Sequence, residues 1–333
     1  MFFDVIFFCS LVFIPFYLQT IIYLFGQAQG QFKVLYNTQS IQSFKKTNPL
    51  SPNQIQNLNL VEQIKKYSVD SLDYLPTDNF SKIVNQFQAP SLWVVTASEA
   101  FSLKPYYWYF PIVGRVNYKG FFDKIKAQAE ALELQKLGYD TELSAVSAWS
   151  TLGWFSDPVL SNTLKYEKGQ FCNLLFHELF HATYYAPSSV NFNENIASFI
   201  AHKATIQFLK EDTVSLDVYL TNYNDNLKLE YFMLEQAKAL KMFYKLTTTQ
   251  KNKIQLKQQY FSKIAEKLMQ IQIKNKRRLK EKTKALLKSK NAYFIGFEQY
   301  HGLQDSLEIV FNKNYKGQLK KLVQHLKLNG INY

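Results

Sequence analysis

The segment FCNLLFHELFHATYY, residues 171–185, places His177 and His181 four residues apart with Glu178 between them. In a helix such a pair shares one face, so both imidazoles can offer a nitrogen to one ion. Two donors do not hold zinc. A hydrolytic site needs a third protein donor and an open position for water, with each nitrogen or oxygen about 2.0–2.2 Å from the ion. The chain supplies a candidate in FNENIASFIAHKA, where Glu194 follows His181 by thirteen residues, beyond the Pro187-Ser188-Ser189 break. Asn193 and Ala197 beside it suit close contact between two helices.

Glu178 lies about 100° around the helix from His177, so it can stand beside an ion without ligating it. That is the place for a carboxylate that takes a proton from water and later returns it to a leaving amine. The alternative is two packed histidines bonded to carbonyls, with Glu178 and Glu194 on solvated faces. Helical context, the absence of Pro and Gly within the motif and the downstream Asn-Glu weigh against it. His202 is eight positions after Glu194, about 12 Å along a helix, and reads as a supporting or core histidine. His301 and His325 have no neighbouring ligand pattern, and Cys172, off the ligand face, reads as core.

The elements that must position these groups are mostly helical. Gly and Pro number 11 and 9 of 333 residues, about half the usual share, which disfavours a turn-rich sandwich. Hydrophobic residues are 47% and charged residues 20%, enough for a buried core and against disorder. Two cysteines exclude a disulfide framework. Residues 40–66 read as a linker into a helix. Residues 92–97, 106–118 and 139–149 are aromatic and β-branched and read as strands, with a helix over 121–138 ending on Gly138. Beyond residue 165 the pattern is helical, with one helix from about Glu167 to Tyr185, another from about Asn193 to Lys210, and an amphipathic helix carrying Ile254, Phe261, Ile264, Leu268 and Ile271.

The net charge of +13 is local: residues 251–290 hold fourteen Lys/Arg and two acids, leaving the remainder near neutral. A global nucleic-acid signature is therefore absent; the basic segment reads as a solvated helix face, then as a contact for anionic lipid, and last as a nucleic-acid surface. Residues 2–25 are nearly continuously apolar, long enough to span a bilayer, and lack the basic leader and small-residue cleavage site of a signal peptide. They read as a membrane anchor, with a buried N-terminal helix as the alternative. Flanking lysines are too few to orient it.

The stretch from Leu175 to Phe199 resembles a bacterial family of predicted aminopeptidases with an HExxH motif, grouped with zinc metallopeptidases. LFGQAQGQ (24–31), FPIVGRVNYKGFF (110–122) and AWSTLGWFSDPVL (148–160) are similar to the same family, and NAYFIGFEQYHGLQDSLEIVF (291–311) is a looser match. The resemblance implies zinc ligands at His177, His181 and Glu194, a catalytic Glu178, a peptide substrate and a place in the bacterial cell envelope. Many members look like lipoproteins, whereas Cys9 follows Ile6, Phe7 and Phe8 and has no lipobox, which favours a transmembrane anchor.

The expected fold is α+β, mainly helical and zincin-like: a membrane anchor over 1–30, then one metallopeptidase unit over 31–333. Within it a small sheet in about 90–150 lies above the HExxH helix, zinc-binding helices occupy about 165–210, and the helical remainder runs over 211–333. An exposed sheet edge could take the substrate as an added strand. Tyr118, Arg115 and Tyr185 are candidate donors to the oxyanion of the tetrahedral intermediate. Asp157 and Glu99 are candidate partners for a substrate α-amine. Zinc is the expected cofactor. The competing readings are a zinc endopeptidase, a membrane-tethered binding protein that keeps a metal site without turnover, and an RNA-binding protein that uses the basic helix.

Overall fold

The computed structural model describes residues 20–86, 92–110, 114–145, 156–186, 189–246, 250–295 and 303–329. The architecture is α+β and mainly helical. Helix α1 covers residues 20–36. β1 (Thr38–Ser40), α2 (Ile41–Thr47) and α3 (Pro52–Asp70) follow. Ser51 caps α3 in a reciprocal capping box with Gln54, and Pro52 opens the first turn, where its missing N–H costs nothing. β2 (Lys82–Val84) pairs antiparallel with β1 and parallel with the later β8 (Val159–Leu160), making a three-stranded sheet.

The second sheet holds β3 (Trp93–Glu99) between β6 (Tyr118–Phe121) and β7 (Tyr139–Ala145), both antiparallel to it. The expected strand over 106–118 is instead a small hairpin, β4 (Trp108–Phe110) with β5 (Gly114–Val116), followed directly by β6. Between β6 and β7, α4 (Lys124–Lys136) is capped by Asp123, whose Oδ1 accepts from Ile125 N at 2.8 Å. The chain leaves α4 through Gly138 at φ +88°, a left-handed conformation that only glycine adopts without strain.

Helices then dominate: α5 (Lys168–His181), α6 (Val190–Phe208), α7 (Thr213–Leu246), α8 (Gln250–Met269), α9 (Lys276–Ser289), α10 (Asn291–Ile295), α11 (Gln304–Tyr315) and α12 (Leu319–Asn329). α5 stops at His181, earlier than Tyr185, because the chain turns there: Thr183 and Tyr184 N–H both bond to the Phe180 carbonyl, and the Thr183 hydroxyl bonds to that of Leu179. α6 begins earlier than Asn193, with Asn193 N donating to the Ser189 carbonyl. The basic segment is two helices, not one. On α8, Phe261, Ile264 and Leu268 are buried, Ile271 beyond its end is partly buried, and Ile254 is exposed.

Among the described residues four apolar clusters result, the smallest being Val34, Val84 and Leu160. The largest joins α3, α5, α6, α11 and α12; the second joins α7 to α10; the third seals α4 onto the second sheet through Ala127, Ala131 and Leu134. That sheet packs on α4 and α10, while α5 packs on α3, α6 and α7. α5 and α7 approach so closely at Gly169 that a Cβ there would lie 2.5 Å from Tyr219 Cβ.

Of the apolar run 2–25, residues 2–19 lie outside the described residues, as does Cys9. Residues 20–25 begin α1, and Tyr23 is docked on the second sheet, its hydroxyl donating to the Gly120 carbonyl at 2.8 Å and its ring stacked on Phe110. Among the described residues no helix is long and apolar enough to cross a membrane.

Candidate functional site

α5 is two-faced. Phe171, Cys172, Leu175, Phe176, Leu179 and Phe180 are buried, spaced as one helical stripe, while Asn173, His177 and Glu178 are only partly buried on the other side. The buried stripe fixes the rotation of the helix and so aims the histidines at α6. Asn53 and Asn57 on α3 tie down the approach to α5, both donating to the carbonyls of Leu164 and Tyr166.

The return to α6 is locked by Asn193. Its side chain accepts from Ala186 N and donates to Ala186 O, each at 2.8 Å. A side chain with both a donor and an acceptor closes the turn in one stroke, and the next residue, Glu194, is thereby delivered to the histidines. His177 Nε2 and His181 Nε2 lie 3.1 Å apart. Glu194 Oε2 is 3.3 Å from the former and Oε1 3.5 Å from the latter. Donor atoms of all three residues lie within 4.8 Å of one another. An ion holding tetrahedral donors at about 2.1 Å separates them by about 3.4 Å, so this spacing fits one metal shared by two imidazoles and a carboxylate.

The charges reinforce each other. Burial lowers the pKa of His177, but its bond to Glu194 and the charges of Glu178 and Glu194 outweigh that, and the net shift is upward. For Glu194 burial works upward, yet both histidines bring its carboxyl down to about 2. Glu178 moves the other way: burial raises it, His177 and His181 pull it down, and Glu194 and Asp157 raise it further. One carboxylate is thus held ionised while its neighbour is readier to take a proton, the division of labour that acid–base chemistry needs.

Of the expected supporting residues, Tyr118 at the start of β6 has its pKa raised by burial first and then by the charges of Glu194 and Tyr185. Asp157 is buried and acts on Glu178; its backbone is gripped by Asn79 Oδ1 at 3.0 Å and Phe80 N at 2.7 Å. Arg115 is exposed on β5, with its guanidinium 3.4 Å from the centroid of the Tyr107 ring. Glu99 serves a turn: its carboxylate accepts from the Ser102 hydroxyl at 2.7 Å and its carbonyl from Asn291 at 2.8 Å. His202 bonds through Nδ1 to Tyr219 Oη at 2.9 Å and stacks on Tyr223, with ring centroids 3.7 Å apart. It is a satisfied histidine, as its spacing from Glu194 suggests. His301 lies outside the described residues.

A family model described as "Putative aminopeptidase" matches residues 22–329. The chain belongs to this family. No curated protein and no solved structure matches it. The aminopeptidase family name implies a peptidase and a peptide substrate. One residue of this aminopeptidase-family chain was not singled out by the sequence reading: Ser198, whose Oγ lies 3.4 Å from His177 Nδ1. Its signal was available, because it stands four residues after Glu194 on the same face of α6. A partner on the far nitrogen fixes the tautomer and ring orientation of a metal-ligating histidine.

Proposed function

We propose that the protein is a zinc-dependent aminopeptidase in which His177, His181 and Glu194 hold the metal and Glu178 is the general base. The observation that carries this reading is the convergence of two imidazole nitrogens and a carboxylate at 3.1–3.5 Å. When bound, zinc supplies Lewis acidity toward the scissile carbonyl and lowers the pKa of a water molecule. Glu178 accepts that water's proton on its carboxylate and returns it to the leaving amine. Ser198 orients the His177 ring through Nδ1. Tyr118 or Tyr185 can donate its hydroxyl hydrogen to the oxyanion; Arg115 serves less well, being engaged with Tyr107.

An exopeptidase must also recognise a free α-amine, and a buried ammonium needs a paired carboxylate. Asp157 supports this role better than Glu99, because it is buried and acts on Glu178, whereas Glu99 holds a turn. The apolar run of residues 2–25 is proposed as an anchor that keeps the enzyme at the bacterial membrane.

The test combines metal analysis with paired substrates. Glu178→Gln should keep zinc and lose hydrolysis, Glu194→Ala should lose zinc, and His202→Ala should retain it. A free-amine peptide should be cut from its N-terminus and its acetylated twin left intact. Hydrolysis by Glu178→Gln at the unmutated rate, or full activity in a chelator, would overturn the mechanism. Internal cuts in the acetylated peptide would make the enzyme an endopeptidase. Bound zinc without cleavage of any peptide would support the non-catalytic binding protein.

A further inference from the structure

α7 buries Met233, Ala237, Leu240 and Tyr244 against its neighbours. On its opposite side Lys238, Lys241, Met242, Lys245 and Leu246 are all exposed. Their spacing of three and four makes a single stripe facing away from the core. Met242 and Leu246 are 65% and 78% exposed. Two large apolar side chains are thus interleaved with lysines along the last turns of α7. The charge around them is mainly positive: residues 235–266 carry seven lysines and two acids, the exposed Glu235 and Glu266 at the two ends. Of the lysines, Lys257 is turned inward to Asp140.

Exposed apolar residues scattered singly need no explanation, but a contiguous stripe rimmed mainly by positive charge does. Lysines beside buried methylene and methyl groups are the composition of an interfacial helix, where the ammonium groups meet lipid phosphates and the apolar side chains enter the acyl boundary. A nucleic acid would use the lysines and leave Met242 and Leu246 without a partner, since base stacking calls for aromatic faces. We infer that the last turns of α7, through Lys238, Lys241, Met242, Lys245 and Leu246, dock on an anionic lipid surface.

The test reads the end of α7 itself, so that it is independent of what residues 2–25 do. An environment-sensitive fluorophore is placed on Leu246→Cys in the full chain with Cys9→Ser; Cys172 is buried and does not react. The labelled protein is mixed with phosphatidylcholine vesicles that contain or lack phosphatidylglycerol. Emission at position 246 should rise and shift to the blue only with phosphatidylglycerol and fall back in high salt, while a label on Leu328→Cys, also exposed, stays unchanged. Each lysine is worth about fivefold in binding, so Lys238→Gln, Lys241→Gln and Lys245→Gln together should weaken the response on the order of 100-fold. If the labelled Leu246→Cys chain does not fold, Met242→Cys carries the same readout. An unchanged signal with acidic vesicles, an equal signal with neutral ones, or RNA binding that leaves position 246 in water would overturn the inference.

Discussion

Lys257 is the basic residue whose removal should matter most to stability. Its side chain is 6% exposed and that of Asp140 13%. The ammonium bonds to the Asp140 carboxylate and to the Ala100 carbonyl at 2.7 Å, near the rings of Phe101 and Phe261. Burial pulls the lysine pKa down, and Asp140 opposes the shift. Lys257→Met keeps the stem volume, so little cavity forms. It leaves the Asp140 carboxylate buried with the Asn291 N–H, 3.0 Å away, as a remaining donor. Stranding one member of a buried pair costs about 3–5 kcal/mol, a fall in Tm on the order of 10 °C for a chain of this size. Adding Asp140→Asn removes the stranded charge while keeping an acceptor for Asn291, and should recover most of the loss. A double-mutant cycle by urea denaturation measures the coupling. A single-mutant loss under about 1 kcal/mol, comparable with that of the exposed Lys263→Met, would refute the reasoning, as would a double mutant no better than the single.

Gly169→Ala should destabilise by about 1–3 kcal/mol, because the new methyl meets Tyr219 Cβ rather than a flexible chain end; an unchanged Tm would show that α7 can draw back freely. Burial lifts the carboxyls of Glu142 and Glu230 from 4.5 to about 7, with Lys282 opposing in both cases and Arg278 also at Glu230. The folded chain therefore holds protons that the unfolded chain releases above about pH 4.5, and stability contributed by these groups falls as pH rises from there through 7. Tm should decline from pH 5 to pH 8, and Glu142→Gln with Glu230→Gln should flatten that decline; parallel curves would exclude burial of these acids as its source.

What was legible in the sequence is what neighbours along the chain decide. His177 and His181 share a face by spacing alone, Glu194 follows after a break long enough to reverse direction, and Gly138 marks the end of α4. Asn193 and Ala197 beside Glu194 mark the face on which α6 can approach α5 closely. Contacts set by distant segments left no local mark. The joining of β1, β2 and β8 brings together residues near 39, 83 and 159, and none of these short strands announces its partner. Lys257 looks like any other of the fourteen basic residues until Asp140, from another element, is placed beside it. The break of the basic segment into α8 and α9 was missed because lysine favours helix throughout; there the chain turns so that Lys274 N can reach Asp225 Oδ2 at 2.8 Å on α7.

The buried stripe of α5 also decides how the site meets oxidants. Cys172 is on the inner side of the helix that carries His177 and His181, fully buried, and burial pushes its thiol up to about 12 despite Lys168 nearby. Thiol chemistry runs through the thiolate, so this sulfur is both shielded and held in its unreactive form. The His177–His181–Glu194 group contains only nitrogen and oxygen donors. Peroxide or disulfide reagents thus find no sulfur to attack at the donors, and the one behind them is inert. A metal held there would not be released by thiol oxidation, as it is from cysteine-ligated zinc. The donor set is therefore indifferent to whether its surroundings are oxidising or reducing.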